Sequence, residues 1–354
     1  MLKHSLKTAC LMVVIVLTFG MTLAQDAAPV VLGPITQRVV DRGELICGTN
    51  ASALPGFAEV NDAGSYVGFD VDMCRAVAAA ILGDADAVSY RPLAAADRQA
   101  ALQSEEIDIL SRNTTFTLSR DAVWGATFAP TTFYDGQAVI VMADSGITSL
   151  EGLAGLIICT NAGTTTELNI TDAMNQRGLD FELQTFQEFD QAFDALLAGN
   201  CDAATSDASG LISKQATAPD PGALRILPEI ISKEPLGPAT PQSDEQFADI
   251  VRWTIYGLFA AEEYGITSEN IDQVIADNTG EGGDPNIQRI LGIGENQSGS
   301  YFGIANNFVE VVVRQVGNYG EIFQRNLGVP PFNLERGVNA LWTEGGLIYA
   351  PPFR

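Results

Sequence analysis

Histidine is almost missing from this chain: the one copy in 354 residues is His4. Basic side chains are scarce as well. The 19 Lys and Arg stand against 44 Asp and Glu, a formal charge of −25 with a pI of about 4.2. No basic surface is left to displace counterions from phosphates, which argues against nucleic acid as a partner. Anionic lipid surfaces are disfavoured for the same reason. Long apolar runs are lacking too. The run over residues 9–18 falls short of the ~20 residues of a spanning helix, and no other segment approaches that length. What is present is a hydrophobic fraction of 46%, enough for packed cores. At about 100–200 residues per domain, the length predicts two domains.

The short apolar run belongs to an export signal. Lys3 and Lys7 give a basic start, and Thr22-Leu23-Ala24 is a small-x-small cleavage pattern before Gln25. Residues 1–24 are therefore read as a signal peptide cleaved after Ala24. Its removal takes away His4, Lys3, Lys7 and Cys10, leaving 17 basic side chains, 44 acidic ones and a formal charge of −27. Without histidine there is no Ser-His-Asp triad, no Cys-His dyad and no histidine metal site. Carboxylates, lysine or a cofactor remain as routes to catalysis, but the commonest general base is gone. No cofactor and no metal site is expected.

Cys47, Cys74, Cys159 and Cys201 remain in the mature chain. An even number in an exported chain suggests disulfides, and four cysteines allow three pairings. Cys47–Cys74 and Cys159–Cys201 are expected, because each pair then lies inside one lobe as assigned below. Four buried thiols are the alternative.

Strands and helices alternate along the first part of the chain, the pattern of a parallel sheet. Leu45–Thr49 reads as a buried strand. Phe69–Leu82 reads as a helix capped by Asp70. Ala87–Arg91 follows as a strand, Asp97–Gln103 as a short helix and Ile107–Ser111 as a third strand. The order then restarts: Leu156–Thr160, Glu167–Arg177, Phe181–Phe186, Glu188–Ala198 and Cys201–Thr205. Ala101-Leu102 with Asp108 recurs as Ala195-Leu196 with Asp202, and Ile46-Cys47 is aligned with Ile158-Cys159. Two similar α/β lobes follow, with Asn113 and Asp207 at equivalent places beyond each third strand. Gly136–Met142 and Ile226–Glu234 are read as extended crossings between them. The expected division is lobe 1 over 36–138, lobe 2 over 139–233, and lobe 1 completion with a C-terminal extension over 234–354. Phe247–Glu263 reads as a strong amphipathic helix, and helical pieces follow it.

Ligands in open α/β sheets bind at the carboxyl ends of the strands, so two facing lobes would form a cleft there. The stretch from Arg112 to Arg120 follows the third strand of lobe 1. It offers Asn113, Thr115 and Arg120, whose planar fork matches a carboxylate. The alternative is a surface arginine paired with Asp121. Gly163-Thr164-Thr165-Thr166-Glu167 opens a helix, where amides and hydroxyls suit an anion. The alternative is an ordinary capping box of Thr164 and Glu167. Asp207 would accept from an ammonium, or else cap the helix after it. Arg120 and Asp207 together describe a clamp for a zwitterion.

These residues, in this order, resemble the solute-binding proteins of polar amino-acid ABC transporters. The matching pieces are Thr49-Asn50, Gly68-Phe-Asp-Val-Asp72, Ala101-Leu with Ile107-Asp108, Thr117-Leu-Ser-Arg120, Gly163-Thr-Thr and Asp207. Arg252-Trp-Thr254, Ala261-Glu-Glu-Tyr264, residues 316–323, Asn339-Ala-Leu-Trp342 and Tyr349-Ala-Pro-Pro352 look like the general L-amino-acid branch, which carries a longer C-terminal extension. The resemblance implies a two-lobed type II periplasmic binding protein fold, α/β, with a two-strand hinge and a helical C-terminal extension. By it, Arg120 holds the α-carboxylate, helped by Thr115 and by Thr165 with its amide, and Thr164 is a further ligand-binding residue. Asp207 holds the α-ammonium and Asn113 lies nearby. Aromatics that sandwich the ligand in shorter receptors fall here near Ala53–Leu54 and Ala95, which implies a roomier side-chain pocket.

The function so implied is capture of free L-amino acids in the periplasm by hinge closure, as a monomer that delivers them to an ABC permease. Two other readings compete. One is an exported dehydratase of the same fold, with Asp207 as acid or base. The other is a binding protein that presents its ligand to a sensor.

Overall fold

A computed structural model describes residues 30–354. The expected signal peptide, with His4 and Cys10, lies outside the described residues. No helix among the described residues is long and apolar enough to cross a membrane.

The chain builds two five-stranded sheets on one plan. In lobe 1 the strand order is Val88–Leu93, Leu45–Asn50, Ile109–Leu110, Ala239–Pro241, Ala126–Phe128. In lobe 2 it is Glu182–Phe186, Ile157–Asn161, Ala203–Asp207, Gln137–Met142, Leu224–Ile226. The first three strands of each run parallel, and the remaining pairings are antiparallel. Helices cross between the parallel strands, as such strands require.

The internal repeat has a physical basis. The Asp108 carboxylate accepts the amide of Ile46, and the Asp202 carboxylate accepts the amide of Ile157, each at 2.8 Å. Both aspartates tie the start of the third strand to the start of the first. This register aligns Leu45–Asn50 with residues 156–161, so Ile46 corresponds to Ile157 and Thr49-Asn50 to Thr160-Asn161. The expected match of Cys47 with Cys159 is therefore off by one residue. Side chains alternate faces along a strand, so the two cysteines point to opposite sides of their sheets. Cys47 is bonded to Cys74 on the helix Phe69–Leu82, and Cys159 is bonded to Cys201.

Several elements depart from the sequence reading. Asp70 does not cap Phe69–Leu82. Gly68 holds the cap position, with φ at 131°, and a Cβ there would meet the Phe57 carbonyl oxygen at 2.2 Å. The third strand of lobe 2 starts at Ala203, so Asp207 ends it instead of following it. The expected crossings Gly136–Met142 and Ile226–Glu234 are also displaced. Gln137–Met142 and Leu224–Ile226 pair inside the lobe 2 sheet. The chain crosses on Phe133–Asp135 and Glu234–Leu236, which pair antiparallel as the hinge.

The C-terminal extension thickens lobe 1. Helix Phe308–Val316 buries Phe308, Val309, Val312, Val313 and Val316. They share one core with Phe69 and Met73 of the helix Phe69–Leu82, with Leu258 of the helix Glu245–Glu263, and with Phe323. Hinge residue Phe133 enters this core and stacks on Phe323 with ring centres 6.2 Å apart.

Candidate functional site

The carboxyl ends of both sheets face one another across a cleft lined from both lobes. Asn50 and Asn161, equivalent in the two repeats, both reach it. So do Asn113 and Asp207, again equivalent, each five residues beyond its strand-starting aspartate. The lobes are closed on each other. Asn113 Nδ2 donates to Asp207 Oδ2 at 3.2 Å, and Ser52 Oγ donates to Glu188 Oε2 at 3.2 Å. Lys214 Nζ donates to the Ala53 carbonyl at 2.8 Å.

Arg120 lies on the short helix Leu118–Val123, whose cap residue Thr117 accepts the Arg120 amide at 3.2 Å. Its side chain is buried, with one guanidinium nitrogen donating to the Thr115 carbonyl at 2.8 Å. Its guanidinium carbon sits 4.9 Å from the Trp124 ring centre. No described carboxylate, Asp121 included, lies within ion-pair distance. Most of its fork is left open toward the cleft that it lines.

Asp207 occupies the cap position of the helix Ala208–Thr217, yet its side chain caps nothing there. It is buried, and Asn113 is the side chain that donates to it. Burial pushes its carboxyl well above the usual range, and the nearby carboxylates of Asp135 and Glu234 push it further; Asn113 and Arg120 only partly offset this. A cation placed against Asp207 would relieve that strain.

Asn113 is bent into the left-handed region, with φ at +32°. Non-glycine residues hold this conformation only when their surroundings impose it. Here Asp70 Oδ2 accepts the Asn113 amide at 2.6 Å, and Asn50 Nδ2 donates to Asn113 Oδ1 at 3.2 Å. Asp70 thus spends its carboxylate on the site, and its pKa is pushed up to about 6, chiefly by burial.

Thr115 and Thr165 meet across the cleft with hydroxyl oxygens 3.3 Å apart. Both donate to Glu234 Oε2, at 2.6 and 3.0 Å. Their hydroxyl protons are therefore taken, and a ligand would meet backbone amides at this helix start. Thr164 also lines the cleft, but its hydroxyl is committed to capping. It accepts the Glu167 amide at 3.2 Å and donates to the Asn161 carbonyl at 2.7 Å.

Sequence reasoning passed over two further buried arginines. Arg112 donates from Nε to the Leu93 carbonyl at 2.9 Å, and the rest of its fork has no described protein partner. Burial lowers its pKa to about 10, against the favourable pull of Glu188 and Asp70. Arg98 donates to the carbonyls of Ala95 (2.8 Å) and Gly163 (3.3 Å) and to the Thr114 hydroxyl (3.4 Å). Burial, then the like charges of Arg112 and Arg120, hold its pKa well below the ordinary arginine value. Near Ala95, where an aromatic was expected to be missing, the guanidinium of Arg98 is seated. Ala53 and Leu54 do line the cleft, beside Lys214, which is paired with Asp190. The one signal that pointed to Arg112 was its place directly after a lobe 1 strand, next to Asn113.

Residues 45–172 match the model of the bacterial extracellular solute-binding proteins, family 3. The chain is 46% identical over 315 residues to the general L-amino acid-binding periplasmic protein AapJ of Rhizobium johnstonii, covering 88% of this chain and 91% of that one. It is 46% identical over 314 residues to the glutamate/glutamine/aspartate/asparagine-binding protein BztA of Rhodobacter capsulatus, covering 88% and 91%. Among solved structures, an ABC transporter/periplasmic binding protein from Brucella ovis with glutathione bound superposes with a TM-score of 0.86 at 44% identity. That match covers 90% of this chain and 99% of the other.

Proposed function

Because the chain belongs to the bacterial extracellular solute-binding proteins, family 3, we propose that it captures free L-amino acids between its lobes and delivers them to an ABC permease. One observation carries this. Arg120 of lobe 1, a buried guanidinium, and Asp207 of lobe 2, a buried carboxyl pushed well above its usual range, face one cleft, and neither has an ion-pair partner among the described residues. Unpaired buried charge is costly. An α-amino acid brings a carboxylate for Arg120 and an ammonium for Asp207, and only the closed state makes both contacts.

The open fork of Arg112 supports a preference within that class. A side chain ending in a carboxylate or carboxamide gives it the acceptor it lacks, so glutamate, aspartate and their amides are the favoured ligands. The name of the Rhodobacter capsulatus relative supports the same preference. Export, cleavage after Ala24 and work in the periplasm complete the proposal.

The test is a thermal-shift and calorimetric panel of the twenty amino acids on protein refolded free of ligand. Stabilisation that grows with ligand concentration above the dissociation constant is expected, largest for the acidic and amide side chains. Silence across the panel defeats the amino-acid reading. Turnover of a prephenate-like acid would replace it with the dehydratase reading.

A further inference from the structure

Glu234 is a buried carboxylate on the second hinge strand, 1% exposed. No cationic side chain among the described residues lies within ion-pair distance of it. Four neutral side chains donate to it instead. Thr115 (2.6 Å) and Thr165 (3.0 Å) donate to Oε2; Ser232 (2.6 Å) and Asn169 (2.7 Å) donate to Oε1. Those donors come from different bodies. Thr115 belongs to lobe 1 and Ser232 to the hinge. Thr165 and Asn169 lie one turn apart on the lobe 2 helix Thr165–Gln176.

The backbone that follows Glu234 is hydrogen-bonded to lobe 1. The Phe116 amide donates to the Pro235 carbonyl at 2.8 Å, and the Thr132 amide donates to the Leu236 carbonyl at 2.9 Å. The partner hinge strand is held to the same body by the C-terminal extension. Asn339 accepts the Tyr134 amide at 2.6 Å and donates to the Tyr134 carbonyl at 3.0 Å, while the Tyr319 hydroxyl donates to the Thr132 carbonyl at 2.8 Å. On the other side Asp135, paired with Glu234 across the hinge, accepts the Ser209 amide of lobe 2 at 3.3 Å. The hinge is thus tied to both lobes, and at its centre the Glu234 carboxylate accepts from Thr115 of lobe 1 and from Thr165 and Asn169 of a lobe 2 helix at once.

We infer that Glu234 is a closure clasp, a positioning residue that sets amino-acid affinity by favouring the closed lobes and does not touch the ligand. Opening separates Thr115 from Thr165 and Asn169, so the carboxylate holds donors of both lobes only in the closed state. Because Thr115 and Thr165 spend their protons on Glu234, the clasp also fixes the two residues that floor the cleft. Its contribution is the same for every ligand, since it belongs to the lobe equilibrium and not to the side-chain pocket.

The affinities in the test rest on the amino-acid reading; the lobe separation does not. Glu234→Gln keeps the shape but cannot accept from all four donors. Asn169→Ala removes one lobe 2 donor that does not line the cleft. Solution X-ray scattering of each unliganded variant is expected to show a larger radius of gyration than the parent protein. Calorimetry is expected to show dissociation constants raised about tenfold across the amino-acid panel, with the rank order kept. The double variant is expected to lose little more than Glu234→Gln alone. The clasp is overturned by a folded Glu234→Gln protein whose unliganded dimensions and affinities equal those of the parent. A lower melting temperature with unchanged affinities also overturns it, as does a reordered panel. If the parent protein binds no amino acid, the functional reading fails, and the scattering comparison still decides the clasp.

Discussion

Replacing Arg120 by alanine separates a ligand-holding arginine from a structural one, because the two roles predict opposite effects on the unliganded protein. Without ligand, Arg120 gives the fold one hydrogen bond to Thr115 and a stacking contact with Trp124. For a buried charged donor these together are worth ~3–5 kcal/mol. Against them stands the cost of burying a guanidinium with no carboxylate partner, several kcal/mol for an isolated ion. The depressed Arg120 pKa, caused first by burial, reports that cost. Unliganded Arg120→Ala is therefore expected to melt close to the parent temperature or above it. With ligand the balance reverses. Losing one partner of a buried, charge-assisted pair costs ~2–5 kcal/mol of affinity, roughly a 30- to 5,000-fold rise in the dissociation constant. Calorimetry reads this directly, and thermal shift reads it again. Ligand at a thousand times the dissociation constant stabilises the parent by ~4 kcal/mol, and a thousandfold weaker variant by ~0.4 kcal/mol at the same concentration. Arg120→Lys restores the charge without the fork and is expected to fall between the two. A folded Arg120→Ala protein that keeps parental affinity would refute the assignment. So would a large loss of stability before any ligand is added.

Three further outcomes are expected. Arg112→Met removes the second open fork, so affinity for glutamate and aspartate falls by ~1–3 kcal/mol, while alanine binding stays within a factor of about three by calorimetry. Unliganded stability should fall as pH rises from about 4 to 6.5. Asp70, raised to about 6 from 3.8, holds a proton in the fold that the unfolded chain releases. Its stabilisation is complete below the unfolded pKa and is lost as pH rises through the folded one, on the order of 3 kcal/mol. Asp135 and Asp207, both raised by burial, act in the same direction, and urea midpoints at pH 4.5 and 7 check the sign. Finally, Cys74→Ser opens a crosslink of 27 residues and Cys201→Ser one of 42, each costing ~3.5–4 kcal/mol in the chain-entropy view, measurable by denaturant unfolding.

Much of the fold was legible because its signals are local and doubled. Leu-Ile-Cys-Gly-Thr-Asn at 45–50 and Leu-Ile-Ile-Cys-Thr-Asn at 156–161 are the same strand twice, each followed by an aspartate that ties it to the third strand. The helix Phe69–Leu82 ended where its apolar face ended. Its cap was misread because Asp70 has a stronger partner 43 residues away, the strained Asn113 amide. The hinge was misplaced for a related reason. Gln137–Met142 is the more apolar run and so looks like the crossing, yet that apolarity marks burial inside a sheet. The true crossing strand, Phe133–Asp135, is short and carries no pattern of its own. Among the residues that line the cleft, Asn113 and Asp207 were picked out by their place at strand ends and Arg120 by the segment that follows a strand. Arg98, Arg112 and Glu234 were not, because what makes them notable is unpaired burial, and that arises only when distant segments meet.

The charges in the cleft bear on how one site would hold different amino acids. On the proposed reading, Arg120 and Asp207 would meet groups that every α-amino acid carries, and the Glu234 contacts would form whatever the ligand is. All of these lower the free energy of the closed liganded state by equal amounts across ligands. A ligand changes preference only through contacts that differ between ligands. In this cleft those fall to Arg112, with Glu188 and the Lys214–Asp190 pair beside it. Affinity and selectivity therefore sit on separate side chains. Closing the empty cleft buries the Arg120 and Arg112 guanidiniums without a carboxylate partner, which opposes closure by several kcal/mol per ion. A zwitterion removes most of that penalty, and a dicarboxylic one removes more. The empty protein consequently needs a ligand-independent contribution to sample the closed state. Glu234, gripped by four uncharged donors and lying off the cleft, is the buried group with the geometry to supply it.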